Sequence, residues 1–313
     1  MGKRIGIDVG GTNVKIALVD KSGKIIYSNS VPTYAKMGYE YTVNNIKQAI
    51  KDLMKETNTT AKDIDGIGFD FPGQVDYKTG IVKLAPNIPG WVNVPIAQMI
   101  EEEFHIPTRI DNDVRCAALG EMKFGAGQGC ENFVCITVGT GIGSGLVING
   151  QLVRGASNAA GEIGHIHVED AEQETCGCGN KGCLEQYSSA TGVTRLAKRK
   201  LEKTTQDSVL RTTTLSAKSV FDAVKAKDPV AMEIAEQFGK YLGEGLAAIA
   251  CVTNPEAFVI GGGVSKAGPV LIDYIKPYYQ KAVFHASRDA KFELATLGND
   301  AGIFGAAKLV LDR

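Results

Sequence analysis

KRIGIDVGGTNVKIALVD, residues 3–20, reads as strand, glycine-rich turn and strand, and FVCITVGTGIGSGLVI, residues 133–148, repeats that pattern. In the first copy Ile5 and Ile7 alternate on one face of a strand over Lys3–Asp8, and Val14–Asp20 forms the next strand. Between them, Gly10 and Gly11 allow backbone N–H groups to approach a phosphate closely. Thr12 adds a hydroxyl donor, and Asp8 can hold magnesium through water. No helix follows the turn, so it is neither a P-loop nor a dinucleotide fingerprint. A lone Gly-Gly pair is equally well explained as a plain hairpin turn. The second copy weighs against that explanation: strand Phe133–Val138, the run from Gly139 through Thr140 and Gly141 to Gly145, then strand Leu146–Ile148. Two such hairpins in an approximate internal repeat suit a nucleoside triphosphate held from opposite sides.

Outward from these hairpins, Ile25–Val31 completes a three-strand meander. Apolar Val43, Ile46, Ile50, Leu53 and Met54 predict a helix over Thr42–Thr57. Strand Ile64–Phe71 runs into Pro72-Gly73, which places Asp70 and Gly73 at a strand end, where open α/β sheets keep their ligands. The turn-rich loop Asn87–Trp91, a helix Ile96–Phe104, a strand Thr108–Asp111 and a helix Val114–Lys123 follow. Asp113, with Asn112 beside it, lies at the last strand-to-helix junction. A carboxylate there is held firmly yet open to a cleft; it can equally be a helix N-cap, and the two roles are compatible. Ser188–Ala250 reads as mainly helical with a polar interruption at 204–214, and Tyr241–Cys251 as a small-residue helix. Strand Ala257–Ile260 ends in Gly261, Gly262 and Gly263, which permit close approach of a flat ring such as adenosine. The chain closes with a helix over Ala301–Leu311.

A third feature is GEIGHIHVEDAEQETCGCGNKGCLE, residues 161–185. His165, Cys176, Cys178 and Cys183 supply the nitrogen and sulfur ligands of a tetrahedral zinc, and Gly177, Gly179 and Gly182 let the backbone wrap round one ion. The C-x-C-x4-C spacing is not that of a zinc ribbon. A closed site of this kind is structural and would fix Glu162 and Glu185, which bracket it. His167 is the alternative nitrogen ligand, because strand alternation would put it on the same side as His165.

The 313 residues suggest about two domains, and the composition, 44% apolar and 22% charged, is that of a globular protein. A net charge of -1 gives no general attraction to polyanions, so neither nucleic acid nor a membrane surface is an expected partner. The basic run Arg195–Lys203 reads as a solvated helix face. Of seven cysteines, the four outside the metal loop (Cys116, Cys130, Cys135 and Cys251) read as buried thiols, a cytosolic pattern. The N-terminus shows no secretory or spanning run, and Gly6 argues against myristoylation. The expected location is cytoplasmic.

IDVGGTN (7–13), DNDVRCAALGE (111–121), TVGTGIGSG (137–145), GEIGH (161–165), CGCGNKGCLE (176–185), VIGGGVS (259–265) and LATLGNDAGIFGAA (294–307) together resemble the ROK family of sugar kinases, most closely its bacterial glucokinases. The resemblance runs in family order over nearly the whole chain. It implies an α/β, actin-like (ribonuclease H-like) ATPase fold with two lobes round a nucleotide and sugar cleft: a small lobe of residues 1–116 plus 298–313, and a large lobe of 117–297 bearing the zinc loop. It also implies ATP-dependent phosphorylation of a sugar, foremost glucose at its 6-hydroxyl, with N-acetylmannosamine or another N-acetylhexosamine as the alternative. Asp113 is then the catalytic base, and Gly73, Asn112, Asp113, Glu162, His165 and Glu185 bind the sugar. Asp8, Gly10, Gly11, Thr12, Asn13, Gly139, Thr140, Gly141, Gly261, Gly262 and Gly263 hold ATP and Mg²⁺. His165, Cys176, Cys178 and Cys183 hold structural Zn²⁺, and a homodimer is expected. The chain departs from the family at Asp111, commonly Glu, at Asp70, commonly a small residue, and in a His165–Cys176 loop one residue longer. Family repressors carry a helix-turn-helix ahead of the first motif; seven residues precede Asp8, so a repressor is not expected. Two rivals remain: a sugar or ATP sensor without turnover, which Asp113 argues against, and an actin-like or chaperone-like ATPase, which needs no sugar pocket.

Overall fold

The computed structural model describes residues 2–86 and 88–310, so Asn87 of the expected loop and Leu311 of the expected last helix lie outside it. In chain order the strands and helices are β1 (Lys3–Val9), β2 (Asn13–Val19), β3 (Ile25–Pro32), α1 (Tyr39–Glu56), β4 (Ile64–Phe71), β5 (Gln74–Asp76), β6 (Ile81–Leu84), β7 (Val92–Val94), α2 (Ile96–Phe104), β8 (Thr108–Asn112) and α3 (Asp113–Phe124). They continue as β9 (Phe133–Val138), β10 (Ile142–Ile148), β11 (Gln151–Leu152), α4 (Glu185–Ser188), α5 (Ala190–Lys203), α6 (Ala217–Lys225), α7 (Pro229–Thr253), β12 (Ala257–Gly261), α8 (Val270–Ala282), β13 (Lys291–Leu294) and α9 (Ala301–Leu309). No helix among the described residues is long and apolar enough to cross a membrane.

The chain forms two compact units, one of residues 1–128, 154–160 and 297–313, the other of 129–153 and 161–296. A division at 116/117 would cut α3, which stays whole in unit 1 because Gly120 and Cys116 pack against α9. Each unit is built on a five-stranded sheet, β3-β2-β1-β4-β8 in one and β11-β10-β9-β12-β13 in the other. Counted among its own five strands, each sheet has the order third-second-first-fourth-fifth. The first pairs are antiparallel hairpins and the later neighbours run parallel. The internal repeat seen in two hairpins thus extends to two whole sheets, the duplication of a ribonuclease H-like unit that characterises the actin-like fold.

In unit 1, alternation along β1 sends Ile5 and Ile7 into a core with Val43, Ile46, Ile50 and Leu53 of α1. On the opposite face, where α9 lies closest, β1 and β4 carry glycines. A Cβ on Gly6 would come within 2.4 Å of the Ile303 carbonyl oxygen, and one on Gly68 within 1.7 Å of that of Ala306. In unit 2, β9 and β12 are buried among α5 to α8. Gly239 and Gly243 bring α7 so close to α8 that a Cβ would meet the Tyr274 and Ile275 carbonyls at 2.2 and 2.5 Å. Asp228 caps α7, accepting from the Ala231 N–H at 3.0 Å, with Pro229 at the first helical position.

Several local expectations change. Ile142–Gly145 belongs to β10, pairing with Val138–Cys135, so the second glycine turn narrows to Gly139-Thr140-Gly141. Cys116 and Cys135 are buried, but Cys130 is half-buried and Cys251 exposed on the outer face of α7. The basic run on α5 is not simply solvated: Arg195 and Arg199 approach the buried carboxylate of Glu172 at 2.8 and 2.9 Å, and Tyr187 donates to it at 2.5 Å. The Arg199 guanidinium, aided by Tyr187, holds that carboxyl well below the usual range, and this strap anchors the loop leading to the cysteines.

Candidate active site and metal centre

In unit 1 the first hairpin is closed by Gly10 N–H donating to the Asn13 carbonyl at 2.9 Å. Thr33, beyond β3, braces it by donating its hydroxyl to the Gly10 carbonyl at 2.6 Å and its N–H to that of Thr12 at 2.9 Å. Gly11, Thr12 and Asn13 are left exposed at the tip. Asp8 ends the strand entering this turn. Burial, partly offset by Lys15, raises its carboxyl above the ordinary range. A carboxylate oxygen beside an exposed glycine-rich turn is the kind of donor that fits Mg²⁺.

At the β8–α3 junction Asn112 is the helix N-cap, its Oδ1 accepting from Val114 N–H at 3.1 Å while its Nδ2 donates to the Gly73 carbonyl at 3.1 Å. Gly73 has φ 102°, and a Cβ there would meet the Leu84 carbonyl oxygen at 2.4 Å. Asp113 is therefore not the cap but the first helical residue, with Oδ1 3.0 Å from its neighbour's N–H. Burial, together with the charge of Asp8, pushes its carboxyl up to about 6. That is where a general base serves near neutral pH. Asp111 is fully buried and neutralised by Arg115 at 2.8 Å and Arg154 at 2.7 Å, two partners the sequence did not reveal. Asp70 is buried too, and its Oδ1 has no partner. Burial first, then the charges of Asp8, Asp113 and Asp111, holds it protonated well above the ordinary range.

In unit 2 the ligand atoms of His165, Cys176, Cys178 and Cys183 lie within 4.8 Å of one another. Cys178 and Cys183 are 3.6 Å apart, and Cys176 Sγ is 3.8 Å from His165 Nδ1. Tetrahedral zinc with thiolates at ~2.3 Å separates its ligands by about 3.8 Å, so the donor set and its spacing fit that ion. His165 lies on a 3₁₀ turn, Ile163–His165, rather than in a strand, and strand alternation therefore does not govern His167. His167 points elsewhere, within hydrogen-bonding distance of Asp170 Oδ1 at 2.7 Å and the Lys181 carbonyl at 2.9 Å.

Glu185 links the cysteine cluster to the second hairpin. Its Oε1 accepts from Cys176 Sγ at 3.0 Å and its Oε2 from Ile142 N–H at 3.3 Å. A Cβ on Gly141 would come within 2.5 Å of Oε2, so a larger residue there would displace the Glu185 carboxylate. Glu162 immediately precedes the 3₁₀ turn that carries His165. Behind the hairpin, Ala190 N–H donates to the Gly139 carbonyl at 2.8 Å and Thr191 to that of Thr140 at 2.6 Å.

The three glycines after β12 differ in kind. Gly262 has φ 85° and would place a Cβ 2.6 Å from Val138 backbone, so its role is packing; a Cβ on Gly263 would meet nothing within 4 Å. Gly263 instead lines a cavity of about 330 Å³ with Ala190, Phe221, Val264 and Ala267. Its α6 wall, with Phe221, was not anticipated from sequence. The sites thus assemble as two groups. Asp8, Gly10 to Asn13, Gly73, Asn112 and Asp113 belong to unit 1. Gly139 to Gly141, Glu162, the metal ligands, Glu185 and Gly261 to Gly263 belong to unit 2.

Duplicated ribonuclease H-like sheets with a glycine-rich hairpin on each define the class of actin-like ATPases and the kinases built on the same plan. Within that class, the ROK family profile matches residues 4–313, and the chain belongs to the ROK family. It is 40% identical over 311 residues to the glucokinase of Halalkalibacterium halodurans, spanning 98% of this chain and 94% of that protein. Among solved structures it is similar to a ROK family glucokinase from Streptomyces griseus in complex with glucose and AMPPNP (34% identity, TM-score 0.77, 98% and 99% of the two chains). It is also similar to the ROK hexokinase from Thermus thermophilus (30% identity, TM-score 0.84, 97% and 96%).

Proposed function

We propose that this protein is an ATP-dependent glucokinase that transfers the γ-phosphoryl group of ATP to the 6-hydroxyl of glucose. The observation that carries the chemistry is Asp113, a carboxylate with its acidity shifted to about 6, beside Asp8 of the first phosphate hairpin. The full-length similarity to glucokinases supports the choice of sugar.

Phosphoryl transfer leaves the protein mainly positioning and electrostatic work. Asp113 accepts the proton of the attacking hydroxyl as the new P–O bond forms. Asn112 holds that hydroxyl's surroundings in place, because its amide is already fixed by Gly73 and Val114. Glu162, Glu185 and His165 take further ring hydroxyls. The two carboxylates accept, and His165 donates from Nε2, since Nδ1 faces Cys176. The phosphates are received at the tips of the two hairpins, by backbone N–H groups at Gly11 to Asn13 and at Thr140 and Gly141, while the Gly10 and Gly139 N–H groups close the turns, and the Gly263 cavity receives the adenosine. Asp8 would hold Mg²⁺, which neutralises phosphate charge. His165 and the three cysteines, as thiolates, would hold Zn²⁺, a structural ion that fixes the loop running from Cys183 directly into Glu185. The family resemblance supports a cytoplasmic homodimer.

ADP release measured across glucose, N-acetylmannosamine, N-acetylglucosamine, fructose and allose tests the reading. Glucose is expected to give the highest kcat/KM. An N-acetylated sugar that outperforms it overturns the substrate, and absence of turnover with every sugar overturns the kinase.

A further inference from the structure

Unit 1 contains a second cavity, of about 330 Å³, lined by Tyr77, Lys78, Arg109, Ile110, Arg154 and Leu309. Every one of these residues lies within unit 1. Three of the six are cations, and none is a carboxylate. Arg154 spends its Nε on Asp111 at 2.7 Å and stacks its guanidinium over the Tyr77 ring at 4.3 Å, which fixes the plane of the fork. Among the described residues its two Nη groups have no hydrogen-bonding partner, and the side chain of Arg109, exposed on the edge strand β8, has no hydrogen bond or ion pair. Lys78 approaches only the Tyr77 ring, at 6.0 Å.

Lys78 and Arg109 carry no counter-charge and Arg154 shares the single carboxylate of Asp111 with Arg115, so the cavity holds excess positive charge that a dianion relieves. Guanidinium forks donate paired N–H groups in the geometry of phosphate oxygens. Ile110 and Leu309 add an apolar wall for the body of a ligand. The volume falls at the low end of small-molecule sites, roughly 300–1,000 Å³, which excludes a polymer. We propose that this cavity is a binding site for a phosphate monoester of hexose-phosphate size.

The site reaches the β8–α3 junction through one residue. Arg154 neutralises Asp111, and Asp111 accepts the N–H of Asn112 at 2.8 Å, the cap of the helix that begins with Asp113. A phosphate that competes for Arg154 loosens that junction, so an occupied site lowers kcat; this consequence, unlike the binding, rests on the kinase reading.

The test titrates glucose 6-phosphate and inorganic phosphate calorimetrically into protein saturated with glucose and AMPPNP, so that the catalytic site is already filled. Saturation by glucose is itself checked first, which separates failure of the glucokinase reading from failure of this one. One sugar phosphate is expected to bind per chain, at least about tenfold more tightly than inorganic phosphate. Arg109→Glu is expected to weaken it by about tenfold or more with unchanged Tm and basal kcat, and Arg109→Lys to retain most of the binding. Absence of binding to the wild type, equal binding by Arg109→Glu, or equal affinity for inorganic phosphate overturns the proposal.

Discussion

Asp8 and Asp70 stand opposite one another on the adjacent parallel strands β1 and β4, and Asp111 is the register partner of Asp70 on β8. Three carboxylates thus sit side by side at the ends of three strands. Each is treated differently: Asp111 is neutralised by two arginines, Asp8 has Lys15 nearby, and Asp70 is buried with Oδ1 unpartnered. A buried carboxyl among three others avoids the cost of ionisation by keeping its proton.

That state has a pH signature. Because the folded-state acidity of Asp70 is raised above its ordinary 3.8, its contribution is fully present below that value and is lost as pH rises through the folded value. Asp70→Asn removes the penalty. Its Tm is expected to match wild type near pH 4 and to exceed it increasingly toward pH 8. Parallel Tm curves across that range would show that Asp70 is ionised and productively paired.

Asp113→Asn is expected to lower kcat by roughly 10²–10⁴-fold while leaving glucose affinity and Tm nearly unchanged. In the wild type, kcat/KM should rise with pH through about 6, because the base must be deprotonated to accept a proton. Near-full kcat in the variant, read from initial rates at saturating substrates, sinks the base assignment.

The His-Cys₃ cluster is expected to carry about one zinc per chain, measured by metal analysis of the purified protein. Cys178→Ser should lose the metal, lower Tm and weaken glucose binding, because Glu185 follows Cys183 of the cluster by two residues and moves with that loop. His167→Ala should keep the metal, since His167 bonds Asp170 and lies outside the cluster. Retention by the first variant or loss by the second contradicts the ligand set.

Two glycines separate packing from function. Gly68→Ala is expected to destabilise by about 1–3 kcal/mol or more, since its Cβ would sit 1.7 Å from the Ala306 carbonyl oxygen on α9. Gly263→Ala has open space for its methyl and should stay within about 0.5 kcal/mol of wild-type stability while raising the KM for ATP. Denaturant melts and ATP titrations of the two variants check the contrast, and an unaltered ATP KM in Gly263→Ala would leave that glycine without a ligand role.

Local chemistry made part of this protein legible from sequence alone. The strands entering each glycine turn declare themselves by period-two alternation. The metal loop declares itself by three thiols and a histidine within 19 residues, counted from His165 to Cys183. Such signals need only neighbours in the chain. Other features depended on residues far apart. Asp111 meets Arg154 across 43 positions, Glu172 meets Arg199 across 27, and Gly68 is glycine because of a helix that begins at Ala301. Asp113 read as a possible cap, and only the bond from Asn112 to Gly73, 39 residues away, aims the Asn112 amide at the helix start and leaves Asp113 free of the capping role. The sequence by itself determined which residues have the chemistry for phosphate, sugar and metal. The tertiary structure decided which of them are neutralised, which are left unpaired and which are held by a distant partner, because burial and pairing arise only once remote segments of the chain have packed together.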